Sequence, residues 1–135
     1  MSNKKVAGFD FPNLTSIAKW GCAFTPQLTS PIVFHSPITL GERALSESNV
    51  PSIDFRSSVD LGTYMTFAYD YNLKTFIFRS PELVPLASPG LLNTSGHPYI
   101  YVPASLVDEY KNATNWATYS NYIRAIEDYP EITGG

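Results

Sequence analysis

Residues 50–55 read VPSIDF and residues 73–78 read LKTFIF, the same order of apolar and spacer positions written twice. A recurrence at about 23 residues constrains a fold more than composition does, because a unit so short cannot bury its own apolar edge and must stack on a neighbour. The template apolar-x-x-apolar-x-apolar also fits VAGFDF at 6–11. Weaker copies, with a polar residue in the first slot, stand at 29–34 (TSPIVF) and 97–102 (HPYIYV). Their last positions, Phe11, Phe34, Phe55, Phe78 and Val102, recur at an almost constant step.

The end of each copy alternates, as a short strand with one buried face requires. Phe9 and Phe11, Ile32 and Phe34, Ile53 and Phe55, Phe76 and Phe78, and Ile100 and Val102 therefore point inward together. A second inward column, Ile17, Leu40, Leu61 and Val84, follows the first four strands at a constant offset of six. A third, Phe24, Leu45, Phe67 and Leu91 or Leu92, follows at a less regular offset. Between them lie turn formers, as in LGERALSESNVP and LASPGLLNTSGHP. A sandwich with evenly spaced strands explains the alternation but not the constant offset. The pattern predicts a solenoid of short parallel strands with irregular turns on its other side, over 6–102. It comprises four to five degenerate repeats of roughly 21–24 residues.

The C-terminal third changes character. In VPASLVDEYKNATNWATYSNYIRAIED, Ser105 and Asp108 form a capping pair, and Leu106, Val107, Tyr110 and Ala113 share one helical stripe. Trp116, Tyr119 and Ile123 continue an apolar face. The expectation is a helical cap over 103–126 that closes the last repeat, followed by a tail at 127–135, all within a single domain of 135 residues. The first strand has no such lid, so Val6, Phe9 and Phe11 form an edge that another chain would cover, either a second copy or a different protein.

These copies resemble the BspA-like, or treponemal-type, leucine-rich repeat, with its L-x-x-I-x-I-P strand and units of similar length. Phe11–Pro12 and Val102–Pro103 keep the proline after the strand, whereas His35, Arg56 and Arg79 replace it in the middle units. IYVPASLVDEYKNATNW is similar to the closing segment found after such repeats in proteins of gut bacteria and their phages. The resemblance implies a leucine-rich-repeat solenoid capped by C-terminal α-helices, with a binding or structural role as in adhesins and phage structural proteins. It implies neither catalysis nor a cofactor.

Composition narrows the partners. Nine Lys and Arg against twelve Asp and Glu give a net charge of −3, spread without the basic clustering that nucleic-acid binding needs. The single Cys22, with only His35 and His97, supports neither an internal disulfide nor a cysteine-rich zinc site. No window suggests a membrane span, and MSNKKVAGFDFPNL has no apolar core of a secretion signal. Surface adhesins ordinarily carry a leader, so the expectation moves to a phage virion component made in the bacterial host cytoplasm, such as a head decoration, fibre or tail adhesin. The alternative is a bacterial adhesion or protein-interaction module, in the cytoplasm or at the cell surface.

A binding surface would lie on the outward face of the strands. Its columns are Asp10, Val33, Asp54, Ile77 and Tyr101; Gly8, Pro31, Ser52, Thr75 and Tyr99; and Pro12, His35, Arg56, Arg79 and Pro103. Aromatic and arginine side chains combine area with directional polar groups, which selects Asp54, Arg56, Ile77, Arg79, Tyr99 and Tyr101 as contacts for a protein or a host-surface glycan. A plainer reading stays open: Asp54 pairs with Arg56 or Arg79 across the sheet, and the two tyrosines pack under the C-terminal helices. No nucleophile with a base and an orienter, and no pair of carboxylates in a cleft, emerges from the spacing.

Overall fold

A computed structural model of the protein describes residues 9–11, 16–17, 31–41, 50–61, 73–86 and 98–130. Val6, Gly8, Pro12, Cys22, Phe24, Leu45, Phe67, Leu91, Leu92 and His97 lie outside that set, as do the side chains of Phe9, Phe11 and Ile17. The main sheet runs through β1 (Phe9–Phe11), β3 (Ile32–Phe34), β5 (Ser52–Phe55), β7 (Thr75–Phe78), β8 (Tyr99–Val102) and β9 (Ile123–Ala125), in that spatial order. A second sheet consists of β2 (Ser16–Ile17), β4 (Ile38–Leu40) and β6 (Val59–Asp60). Every pairing among the described strands is parallel.

Parallel neighbours need a long crossover between them, and the step of the sequence repeat supplies one for each successive pair. The register aligns the copies position by position. Phe9, Ile32, Ile53, Phe76 and Ile100 form one row, and Phe11, Phe34, Phe55 and Phe78 form another. The inward residues Ile32, Phe34, Ile53, Phe55, Phe76, Phe78, Ile100 and Val102 are all buried. Leu40, Leu61 and Val84, at the expected offset after their strands, are buried in the same cluster together with Ile38 and Val59. Both sheets thus share one core. Val50 and Leu73, the first slots of their copies, belong to it as well.

Aromatic rings fill the centre because parallel strands bring identical positions into stacking range. Phe34, Phe55 and Phe78 form a continuous stack, with centroids 5.5 Å and 5.2 Å apart and nearly parallel planes. Trp116 meets Phe78 edge-on at 5.6 Å and Tyr110 at 5.1 Å.

The segment after β8 is helical only in part. It holds a 3₁₀ turn at Ala104–Leu106, helix α1 at Val107–Asn112 and a kinked 3₁₀ stretch at Trp116–Tyr122. The expected stripe holds, with Tyr110 in the core and Leu106, Val107 and Ala113 packed against it. The expected Ser105–Asp108 capping pair does not form, since α1 starts at Val107 with Leu106 at its N-cap and no side chain caps it. Asp108 and Glu109 still occupy the first turn and Lys111 the last, which suits the helix dipole.

Three side chains tie this segment to the stretch following β7. The Val84 N–H donates to the Tyr110 hydroxyl at 2.8 Å, and the Trp116 indole N–H donates to the Val84 carbonyl at 2.6 Å. Asn115, at φ 69°, donates through its side-chain amide to the Leu86 carbonyl at 2.6 Å. Asparagine tolerates this left-handed conformation better than most residues.

A larger correction follows. Ile123 does not extend a helical face; it begins β9, which pairs with β8 through Ile100–Ile123, Tyr101–Arg124 and Val102–Ala125. Ile123 follows Ile100, and Ala125 follows Val102, by the same step that separates Phe55 from Phe78, so the period runs once more than expected. Ile126, the last residue of the expected cap, is buried, and Ile126–Asp128 forms a 3₁₀ turn; the expected tail at 127–135 is described only as far as residue 130. Among the described residues no helix is long and apolar enough to cross a membrane.

Candidate functional site

The outward columns fall into the register expected of them. Asp10, Val33, Asp54, Ile77 and Tyr101 form one row, which Arg124 extends, and Ser52, Thr75 and Tyr99 form the row beside it. Position in a row does not guarantee exposure. Asp54, Ile77 and Tyr101, expected to be exposed, are buried, at 7%, 4% and 4% relative exposure.

The cause for Ile77 and Tyr101 is the polypeptide after β9, which folds back over the sheet. Ile126 joins them in a second apolar cluster, and Tyr129 packs against it. The Tyr101 and Tyr129 rings meet edge-to-face at 5.5 Å. This strap is anchored at its middle, where the Ala104 N–H donates to a Glu127 carboxylate oxygen at 3.0 Å. Ile77 and Tyr101 therefore act as its seat.

Asp54 is covered by arginine. The Arg79 Nε donates to both of its carboxylate oxygens, at 2.9 and 3.2 Å, and Nη2 donates to Oδ2 at 3.1 Å. Arg56 approaches the same carboxylate less closely, with Nη2 at 3.4 Å. Because Asp54 lies opposite Ile77, Arg79 is its diagonal neighbour on the next strand, within reach of a long side chain. The pair is charge-assisted and forked, with side chains only 15% and 10% exposed. Arg56 remains exposed. Of the six selected residues, Arg56 and Tyr99 thus face outward, Arg79 is half-buried, and Asp54, Ile77 and Tyr101 belong to the platform beneath.

Tyr99 is the exposed large apolar residue among those described. Its ring meets Tyr122 edge-on at 5.9 Å, and the Arg124 guanidinium carbon lies 5.4 Å from its centroid. Arg124 is held there by Nη1, which donates to the Asn121 and Ile123 carbonyls at 2.7 and 3.2 Å. A helical reading of 123–125 passes over Arg124. The signal that finds it is the step from Tyr101, equal to the step from Asp54 to Ile77 in the same row.

Among the described residues, two hollows of the outer surface are lined in part by the strap. One, of about 450 Å³, lies among Arg79, Pro103, Ile126, Glu127 and Pro130. The other, of about 420 Å³, is lined by Lys74, Thr75, Tyr99, Tyr101, Arg124 and Tyr129. A third, of about 480 Å³, lies on the second sheet beside Pro37, Thr39, Ser58 and Asp60. At the opposite edge β1 has β3 on one side and no further strand among the described residues on the other.

Comparisons with models of known families, with curated proteins and with solved structures found no match.

Proposed function

We propose that the protein is a non-enzymatic binding and structural protein, built as a BspA-like leucine-rich-repeat solenoid, that meets its partner through the outward face between Arg56 and Tyr99. The observation that carries this reading is the register. Strands recurring at one near-constant step set successive outward residues in straight rows, which favours a continuous contact surface. On that surface Arg56 and Tyr99 are exposed next to the buried Asp54, Ile77 and Tyr101, an arrangement that suits an interface anchor.

The setting we assign is a phage particle, on the resemblance of the closing segment, with the outer edge of β1 meeting another copy or a second virion protein. The partner at the face is then a virion protein or a host-surface protein or glycan. Purified particles test this. Stoichiometric presence of the chain, with Arg56→Glu reducing its incorporation or the adsorption of particles while the chain still folds, is the expected outcome. Absence from particles removes the virion assignment, and a chain found at the bacterial surface instead would be an adhesion module. An Arg56→Glu chain that behaves as wild type removes the face.

A further inference from the structure

The hollow beside Tyr99 has a composition that the other two described hollows lack. Its six described lining residues include two cations, Lys74 and Arg124, three tyrosines and a threonine, and no carboxylate. In a chain of net charge −3 this is a local reversal of sign. Its volume of about 420 Å³ lies in the range of small-ligand sites, roughly 300–1,000 Å³.

The donors are organised as well as charged. Arg124 is fixed from behind, because Nη1 makes both of its backbone bonds and the Tyr99 ring flanks the guanidinium. A guanidinium has five N–H donors in a planar fork, so Nε and Nη2 keep their N–H groups for a planar anion. Lys74, exposed just before β7, lines the same hollow and supplies a second cation. Tyr99 is exposed, with the Arg124 guanidinium over its ring and Tyr122 in a perpendicular ring contact, and Tyr129 contributes from the strap.

A bare inorganic anion has no use for the tyrosine faces, and a neutral sugar has no use for the cations. An extended peptide needs a strand edge or a long groove rather than a compact hollow. One chemistry uses all of it: a six-membered ring with an apolar C–H face to lay against tyrosine and a carboxylate for the cations. The geometry points to this hollow as a subsite for an acidic sugar, a uronic or sialic acid unit of a glycan. The inference rests on the reading of this sheet face as a binding surface and names the ligand class for one end of it.

Titration calorimetry on the full chain tests it with methyl β-glucuronide, methyl β-glucoside, N-acetylneuraminic acid, inorganic phosphate and an acidic dipeptide as probes. A single low-valency sugar contact corresponds to millimolar affinity, so the expected result is saturable binding near about 1 mM for at least one acidic sugar. The glucoside, phosphate and dipeptide should bind about tenfold more weakly or not at all. Lys74→Gln and Tyr99→Ala should each weaken acidic-sugar binding about tenfold while the chain still unfolds cooperatively. Arg124→Gln should abolish it, and the exposed Lys74 variant keeps the test valid if loss of the Arg124 backbone bonds unsettles β9. Equal binding of glucuronide and glucoside, preference for phosphate or the dipeptide, no saturable binding of either acidic sugar, or indifference to both Lys74→Gln and Tyr99→Ala would each overturn the inference. If the acidic sugars fail while Arg56→Glu still impairs particles, the sugar subsite falls and the binding face stands.

Discussion

Replacing Phe55 with alanine removes the middle ring of a stack of three. Phe55 is fully buried, with Phe34 at 5.5 Å on one side and Phe78 at 5.2 Å on the other. Truncation takes roughly 130 Å² of apolar surface out of the core, worth about 3 kcal/mol at ~25 cal/mol per Å². Two ring–ring contacts vanish with it, each worth about 0.5–1.5 kcal/mol beyond area. The neighbouring strands are tied to β5 on both sides and collapse only partly into the gap, so a loss of about 4 kcal/mol is expected, within the usual ~3–5 for a buried phenylalanine. That is a large part of the ~5–15 kcal/mol that holds a domain together. Urea unfolding followed by tryptophan fluorescence reads it, since Trp116 packs edge-on against Phe78 next in the stack. Phe55→Leu, which refills most of the volume, should lose only about 1–2 kcal/mol. A loss below about 1 kcal/mol for Phe55→Ala, or equal losses for both variants, would refute a core built from stacked identical positions.

The two arginines beside Asp54 should separate cleanly. Arg79→Ala, which leaves a buried carboxylate without its forked partner, is expected to lower stability by about 2–4 kcal/mol in chemical unfolding, whereas Arg56→Ala, exposed and 3.4 Å away, should cost less than about 1. Ile123→Ala should cost about 2–4 kcal/mol if β9 is a core strand, and a value near zero would return residues 123–125 to the surface. Burial pushes the Tyr110 hydroxyl up from 10.0 to about 12. Its folded pKa is raised, so its contribution is fully present below about pH 10 and is lost as pH rises toward about 12, a fall of about 2–3 kcal/mol across that window. Stability measured against pH in the wild type and in Tyr110→Phe checks this. The variant should lack that part of the alkaline loss while starting about 1–3 kcal/mol lower, because the Val84 N–H has lost its acceptor.

The inward face is legible because it obeys one short rule. Alternation and a fixed period are visible wherever phenylalanine or isoleucine recurs, and the offset of six locates Leu40, Leu61 and Val84 without any knowledge of the turns. The outward face follows the same period in register but not in exposure. What buries Ile77 and Tyr101 is a segment far downstream, and no local pattern announces that Ile126 and Tyr129 return to lie on them. Asp54 shows the same limit: spacing allows a pair with either arginine, and only the diagonal geometry of β5 and β7 selects Arg79 for the forked contact.

The strand at Ile123–Ala125 escapes a sequence reading for a different reason. Its first slot is Ser120 and its last is Ala125, so the apolar signal is weak, and the helical stripe just before it suggests continuation. The local pattern favours helix; pairing with β8 decides otherwise. The consequence reaches the candidate site, because Arg124 enters the outward row only through that strand.

The most direct measurement is the pattern of cross-strand proton contacts in an isotopically labelled sample by nuclear magnetic resonance. The account predicts an unbroken parallel path from Ile32 to Ile53, Phe76, Ile100 and Ile123, with Tyr101 and Arg124 side by side in the outward row. Antiparallel contacts along that path, or a helical pattern running through residues 123–125, would contradict it and dissolve the face on which the proposed binding depends.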